Sequence, residues 1–275
     1  MGRRHPPAAD PALRCRRKIP RIMNLAGFET SPPRTPRVVV LSGGGAGIGR
    51  AVARDLAARG HPVAILGRNA ARLRETAAGH GDMLCLVADV ADPEATAEAL
   101  ARAEAELGPV DIAIANAAIH PKARFLDLPA RDFAATMRIN IEGVANLIRP
   151  VLPGMLERNC GRIIVMGSLA DMNPLPGSVA YSASKGALHA LVKGIAAEID
   201  RTRFPNVLIN EISPGATLTA MSGHGHPPEA VCPHVRALID LPPGGPSGRF
   251  FQEGRELHPG EGLRALIRRK LGLAR

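Results

Sequence analysis

At 275 residues, 45% of them hydrophobic, the chain is long enough for one large α/β domain with a well-buried core and too short for a second of that size. Its formal charge of +10 invites a nucleic-acid or membrane reading. However, residues 1–37 carry nine Lys/Arg against two acids and residues 255–275 six against two, which leaves twenty basic and twenty-one acidic residues for everything else. The charge therefore belongs to the tails, and neither nucleic acid nor membrane is expected as a partner of the near-neutral body. No apolar run reaches the eighteen or so residues of a membrane span. Cys15, Cys85, Cys160 and Cys232 stand seventy or more residues apart, a spacing that fits neither a zinc site nor a disulfide framework. With no signal-peptide core after the basic start, the expectation is a protein of the reducing cytoplasm.

Residues 1–36 hold seven prolines and few large apolar side chains, the composition of a disordered basic arm. Its Arg-rich, acid-poor character also fits an organelle transit peptide, although the prolines would break the amphipathic helix such peptides form. Met1 and Met23 both stand as candidate starts. From Arg37 the pattern changes. RVVVLSGG, HPVAILG, MLCLVADV, VDIAIANAA, GRIIVMGS and NVLINEISPG are continuously apolar, as strands buried on both faces are. Between them lie the helical stretches IGRAVARDLAARG, AARLRETAAG and PEATAEALARAEAELG, a long one from Ala130 to Arg158, and SVAYSASKGALHALVK. Such alternation predicts a single α/β domain over residues 37–257, a doubly wound (Rossmann) parallel sheet of six to seven strands with its ligand at the carboxyl ends. In the tail, 258–275, Leu263, Leu266, Ile267 and Leu271 are spaced as a short basic amphipathic helix, suited to docking on a subunit or touching an anionic surface.

Two stretches carry chemistry. The first strand ends in Ser42-Gly43-Gly44-Gly45-Ala46-Gly47-Ile48-Gly49 and runs into a helix. Glycines there permit a tight turn and close approach of backbone to a diphosphate, while the helix start offers free N–H groups. The second stretch places Tyr181, the only tyrosine, four residues before Lys185, so the two share a helix face and the ammonium can lower the phenol's pKa. Ser168 ends an apolar strand thirteen residues before Tyr181. His224 and His226 sit two apart in a glycine-rich loop with no clear third ligand, and no metal is expected.

Matched in order, these motifs resemble the short-chain dehydrogenase/reductase family, in its compact single-domain form, from about Arg37 to Met221 and more weakly to about Leu257. The family's glycine motif appears as Ser42 to Gly49, with serine for threonine. Its adenine-contacting acid appears as Asp89, followed by Val90. Its turn after the fourth strand appears as Ala115-Asn116-Ala117-Ala118, keeping one asparagine. Its catalytic set appears as Asn140, Ser168, Tyr181 and Lys185. Its PG motif appears as Pro214 and Gly215, with Thr217 and Thr219 downstream. Thr217 stands where the family has Val or Ile. Ala115 and Ala118 replace Asn and Gly against the cofactor, and MSGHGHPPEA is short for a substrate lid.

The resemblance implies an oxidoreductase that moves hydride between a nicotinamide and a carbonyl or secondary alcohol. Tyr181 is then the acid/base, Ser168 orients the oxygen, Lys185 tunes Tyr181 and holds the ribose, and Asn140 supports a water linking Lys185 to solvent. The second strand ends in Gly67, Arg68 and Asn69 rather than in an acid, which favours NADP(H) over NAD(H). The expected partners are a small carbonyl or alcohol substrate and further copies of the chain, as homodimer or homotetramer. The apolar residues around most of the Tyr181 helix agree with self-association. A different class of reading is an NADP-binding scaffold or sensor without turnover, suggested by the altered turn and the unusual C-terminal part. The intact Asn/Ser/Tyr/Lys set argues against it. Epimerase or dehydratase chemistry would need a larger C-terminal substrate domain.

Overall fold

The computed structural model describes residues 36–81 and 83–257. The basic arm and the amphipathic tail lie outside the described residues. Eight strands form one sheet in the order β3-β2-β1-β4-β5-β6-β7-β8. They are β1 (Val38–Ser42), β2 (Val63–Gly67), β3 (Met83–Val87), β4 (Val110–Ala115), β5 (Gly161–Met166), β6 (Val207–Ser213), β7 (Arg249–Gln252) and β8 (Arg255–Leu257). The first seven run parallel and β8 is antiparallel to β7. The count exceeds the expected six to seven because RFFQEGREL folds back as a hairpin. Its two-residue turn, Glu253-Gly254, has φ of 47° and 73°, the doubly left-handed turn that matches the twist of paired strands.

Seven helices, α1 (Gly47–Ala58), α2 (Ala70–Ala77), α3 (Pro93–Leu107), α4 (Ala130–Met137), α5 (Gly143–Glu157), α6 (Val179–Glu198) and α7 (Cys232–Ile239), are found among the described residues. Because both sheet faces are covered, alternate residues of each strand enter different cores. Val39, Leu41, Ile112 and Ile114 pack with Leu56 of α1 and Leu238 of α7. Val40, Ala113, Val165 and Ile209 pack with Leu100 of α3, Leu147 of α5 and Leu188 of α6. Continuously apolar strands are what this two-sided burial requires. None of the helices among the described residues is long and apolar enough to cross a membrane.

The expected helix from Ala130 to Arg158 is three pieces. α4 passes into a π-helical turn, Arg138–Glu142, and then into α5. The extra residue in that turn accompanies a buried Asn140, which is fully enclosed and bonded to neighbours outside its helix. Such π-turns concentrate at functional positions because they redirect one side chain without ending the helix. The strand order reverses between β1 and β4, so a crevice opens at their carboxyl ends.

Candidate active site

The crevice begins where β1 runs into α1. Gly43 turns with φ of +71°, and a Cβ on Gly49 would lie 2.2 Å from the Gly43 carbonyl oxygen. Ser42 turns its hydroxyl away from the loop, accepting from the N–H groups of Asn116 (3.0 Å) and Ala117 (3.1 Å). Asn116 returns the contact by donating from Nδ2 to the carbonyls of Ser42 (3.0 Å) and Gly43 (3.2 Å). These four bonds lock the glycine loop to the end of β4, which explains why this asparagine is kept although Ala115 and Ala118 flank the turn. Ile48 packs into the core beneath α1.

A cavity of about 260 Å³ follows the loop, lined by Gly43, Gly45, Gly67, Arg68, Asn69, Asp89, Val90 and Ile119. Asn69 caps α2 by accepting from the N–H of Arg72 at 3.0 Å. Arg68 reaches Asp89 at 3.7 Å with the arginine side chain exposed and the aspartate partly so, a contact of little energy. Val90 is held from α5, where Asn146 donates to its carbonyl at 2.8 Å. Arg72 also lines the cavity. No spacing rule in the sequence marks it. Across the crevice the β6 end supplies Pro214, Gly215 (φ +70°) and Thr217, whose hydroxyl donates to the carbonyl of Pro214 at 3.2 Å. A Cβ on Gly47 would meet the Thr219 methyl at 3.1 Å, so the loops of β1 and β6 touch. A glycine-lined turn at a helix start, opening on this crevice, fits a dinucleotide diphosphate.

Tyr181, Lys185 and Ser168 lie beyond the cavity. Lys185 is 3% exposed. Its Nζ donates to the Met166 carbonyl at 2.7 Å and stands 5.6 Å from the centre of the Tyr181 ring. Burial brings its pKa down to about 8, opposed by the charge of Glu211. The phenol departs from expectation: burial raises its pKa, with only the Ser168 hydroxyl pulling it down. The Lys185 head is turned to the end of β5 rather than to the phenol oxygen, so in this arrangement desolvation prevails over the expected lowering. Asn140 donates from Nδ2 to the Ile119 carbonyl (3.0 Å) and the Ser184 hydroxyl (2.9 Å), and accepts from the Ile119 N–H (2.8 Å). Ser184 in turn donates to the Tyr181 carbonyl. Asn140 thus ties the loop after β4 to the first turns of α6.

His120, on that same loop, stacks on Tyr181 with ring centres 4.3 Å apart, and its Nε2 lies 3.0 Å from Ser178 Oγ. Burial keeps it below its ordinary pKa, with the charge of Lys122 adding to the effect. No spacing rule pointed to His120, because it joins Tyr181 only through the fold. Phe125, Leu126, Leu175 and Leu218, all exposed, lie on the loops after β4, β5 and β6.

A glycine crevice at the strand-order reversal, beside a buried lysine and a tyrosine on one helix face, defines a nicotinamide-dependent oxidoreductase. Residues 37–229 match the family described as short chain dehydrogenase, and the chain belongs to that family. It is an NAD(P)-dependent oxidoreductase. It is 33% identical over 217 residues to the Oxidoreductase UcpA of Escherichia coli O157:H7, covering 75% of this chain and 81% of that protein. A solved short chain dehydrogenase/reductase family protein superposes with a TM-score of 0.71 at 31% identity, covering 78% of this chain and 94% of the other. The 3-ketoacyl-(acyl-carrier-protein) reductase of Brucella melitensis, solved with NADH, gives 0.73 at 22% identity over 78% and 96% of the two chains, a likeness of fold.

Because the Gly49 Cβ position is occupied by backbone, Gly49→Ala must displace the glycine loop. It should destabilise the protein by about 1–3 kcal/mol and weaken NADH and NADPH alike. Urea unfolding and fluorescence titration check this, and unchanged affinity for both would mean that the loop does not hold the diphosphate.

Proposed function

We propose that the protein is an NADPH-dependent reductase of a carbonyl compound, or in reverse a dehydrogenase of the secondary alcohol, with residues 37–257 as one catalytic domain acting in the cytoplasm. The observation that carries this reading is the placement of Tyr181, with its phenol beside the Ser168 hydroxyl and the Lys185 ammonium 5.6 Å from its ring centre. A phenol so placed can donate its proton to a carbonyl oxygen. Bound nicotinamide supplies the hydride. Ser168, beside the phenol, orients the oxygen. Lys185 contributes a positive charge under the ring and holds the ribose. Asn140 fixes the loop after β4 and supports a water behind Lys185. Arg68 and Arg72, with no acid at the end of β2, favour the 2′-phosphate of NADPH. A phosphate dianion is a stronger partner for Arg68 than Asp89 at 3.7 Å.

Arg68→Ala should weaken NADPH by about 1.5–3 kcal/mol, the range for a hydrogen bond to a charged group, and leave NADH nearly unchanged. Equal loss for both cofactors would refute the assignment.

Tyr181→Phe keeps the ring and should keep NADPH binding while turnover falls by about 10²–10⁴. Only the protonated phenol donates, so the parent's reductive rate should fall as pH rises through the Tyr181 pKa, and the variant's residual rate should lack that limb. Lys185→Ala should lower turnover and weaken NADPH together. A panel of carbonyl compounds, including apolar ketones suited to the exposed Leu175 and Leu218, supplies the assay. Near-parental turnover by Tyr181→Phe would mean that another group gives the proton.

Self-association as a dimer or tetramer through α5 and α6 is part of the same reading. Val179 is 41% exposed on α6, and Ala183 and Ala190 on that helix are exposed as well. Light scattering at micromolar concentration should return a multiple of the 28.9 kDa chain, and a monomer would count against it.

A further inference from the structure

Three ionisable side chains meet behind Lys185 inside a layer that is otherwise apolar. The alternation of β6 sends Val207 and Ile209 into the core beneath α5 and α6, and Glu211 follows them in register, 1% exposed. His189 lies on α6 one turn beyond Lys185 and two beyond Tyr181, so the three stack along one face. His189 Nδ1 is bonded to Glu211 Oε2, and its Nε2 lies 2.9 Å from Asp171 Oδ2. Asp171 belongs to the loop that follows Ser168. Phe250 of β7 packs on the imidazole, with ring centres 4.5 Å apart.

The other oxygen of Glu211 is what calls for an account. A Cβ on Gly167 would lie 2.0 Å from Oε1, and no hydrogen-bond partner among the described residues reaches that atom. Lys185 Nζ is bonded to the carbonyl of Met166, the residue before Gly167. Ammonium and carboxylate therefore rest on consecutive residues at the end of β5, in a buried region where charges are little screened. A buried carboxylate is retained only when paired, and the cations beside this one are His189 and Lys185. Around Lys185 the titratable groups are Tyr181 and His189 on its own helix, Glu211 on β6 and Asp171 on the loop, with His120 across the Tyr181 ring. Burial depresses His189, but the hydrogen bond and charge of Glu211, with those of Asp171, leave it raised. Burial raises Glu211 against the pull of His189 and Lys185.

We propose that Glu211, oriented by His189 and Asp171, is a positioning residue whose carboxylate keeps Lys185 in its ammonium form. This rests on the reading of Lys185 as the partner of Tyr181. Removing a negative charge disfavours the ammonium, so Lys185, already down to about 8, should lose its proton at still lower pH when Glu211 is neutral.

The chain has five lysines, so protein labelled with ¹³C at lysine Cε gives a spectrum in which the Lys185 signal is assigned by its loss in Lys185→Arg. In Glu211→Gln the Lys185 midpoint should fall by about one pH unit, a tenfold change in its ionisation constant, while the other four stay in place. A Lys185 midpoint equal to the parent's would overturn the proposal. Should Glu211→Gln fail to fold, Glu211→Asp serves. It keeps the charge and draws it back by one methylene, so the midpoint should fall by less, and no movement overturns the proposal. The readout needs no turnover, so its failure leaves the reading of Tyr181 standing. Loss of that reading, through an active Tyr181→Phe, would not move the lysine midpoint.

Discussion

A buried ammonium is the constraint around which this site is arranged. Lys185 points into the layer between α6 and the sheet, where its neighbours on the helix are Leu188 and Val192, and an unpaired charge there would be neutralised. The end of β5 meets the demand by turning the Met166 carbonyl to Nζ. β6 meets it with a carboxylate one strand further on. Such a pairing restricts everything near it. Gly167 has no room for a side chain because Glu211 occupies that space, and the loop carrying Ser168 is held through Asp171 to the same helix. The hydroxyl, phenol and ammonium are thus fixed relative to one another by the polar groups beneath them as well as by the Ser168–Tyr181 hydrogen bond and the Lys185 head over the ring.

A second constraint lies at the strand-order reversal. Parallel strands that diverge leave their last N–H and carbonyl groups unpaired, and those groups must bond elsewhere. Ser42 and Asn116 satisfy them reciprocally across the gap between β1 and β4. The same bonds hold the glycine loop open to a diphosphate. From there the coupling continues along the chain: four residues past Asn116, His120 covers Tyr181, and Ile119 is bonded through both backbone groups to Asn140. One loop therefore joins the dinucleotide crevice to the proton-transfer pair.

The sequence carried more of the site than of its supports. Tyr181 and Lys185 were legible because helical spacing alone puts them together, and the glycine loop because strand, turn and helix follow each other in order. Ser42 is legible as the first residue of the glycine motif, but its hydroxyl serves β4, an outcome that depends on a neighbour 74 positions away. The direction of the Tyr181 shift is hidden from the sequence for a related reason, since spacing reports that an ammonium is near but not that it is turned to a carbonyl. Arg72 and His120 gave no local signal. Glu211 and His189 did leave one. Asn210 and Glu211 interrupt an apolar strand, and His189 repeats the Tyr181–Lys185 interval, but periodicity alone does not tell that these positions meet.

The C-terminal hairpin has a physical place in this arrangement. β7 pairs with β6 so that Phe250 stands opposite Glu211, and its ring lies on His189. An aromatic face there excludes water from the histidine–carboxylate contact, which strengthens the contact and fixes the ring's orientation. Without such a cover the edge of β6 would expose Glu211 to solvent, and a hydrated carboxylate would exert far less influence on Lys185. The turn at Glu253-Gly254 and the return of β8 along β7, with Arg249 paired to Glu256 at 3.3 Å, hold Phe250 in place. The hairpin thus covers the charge network on which the catalytic helix depends.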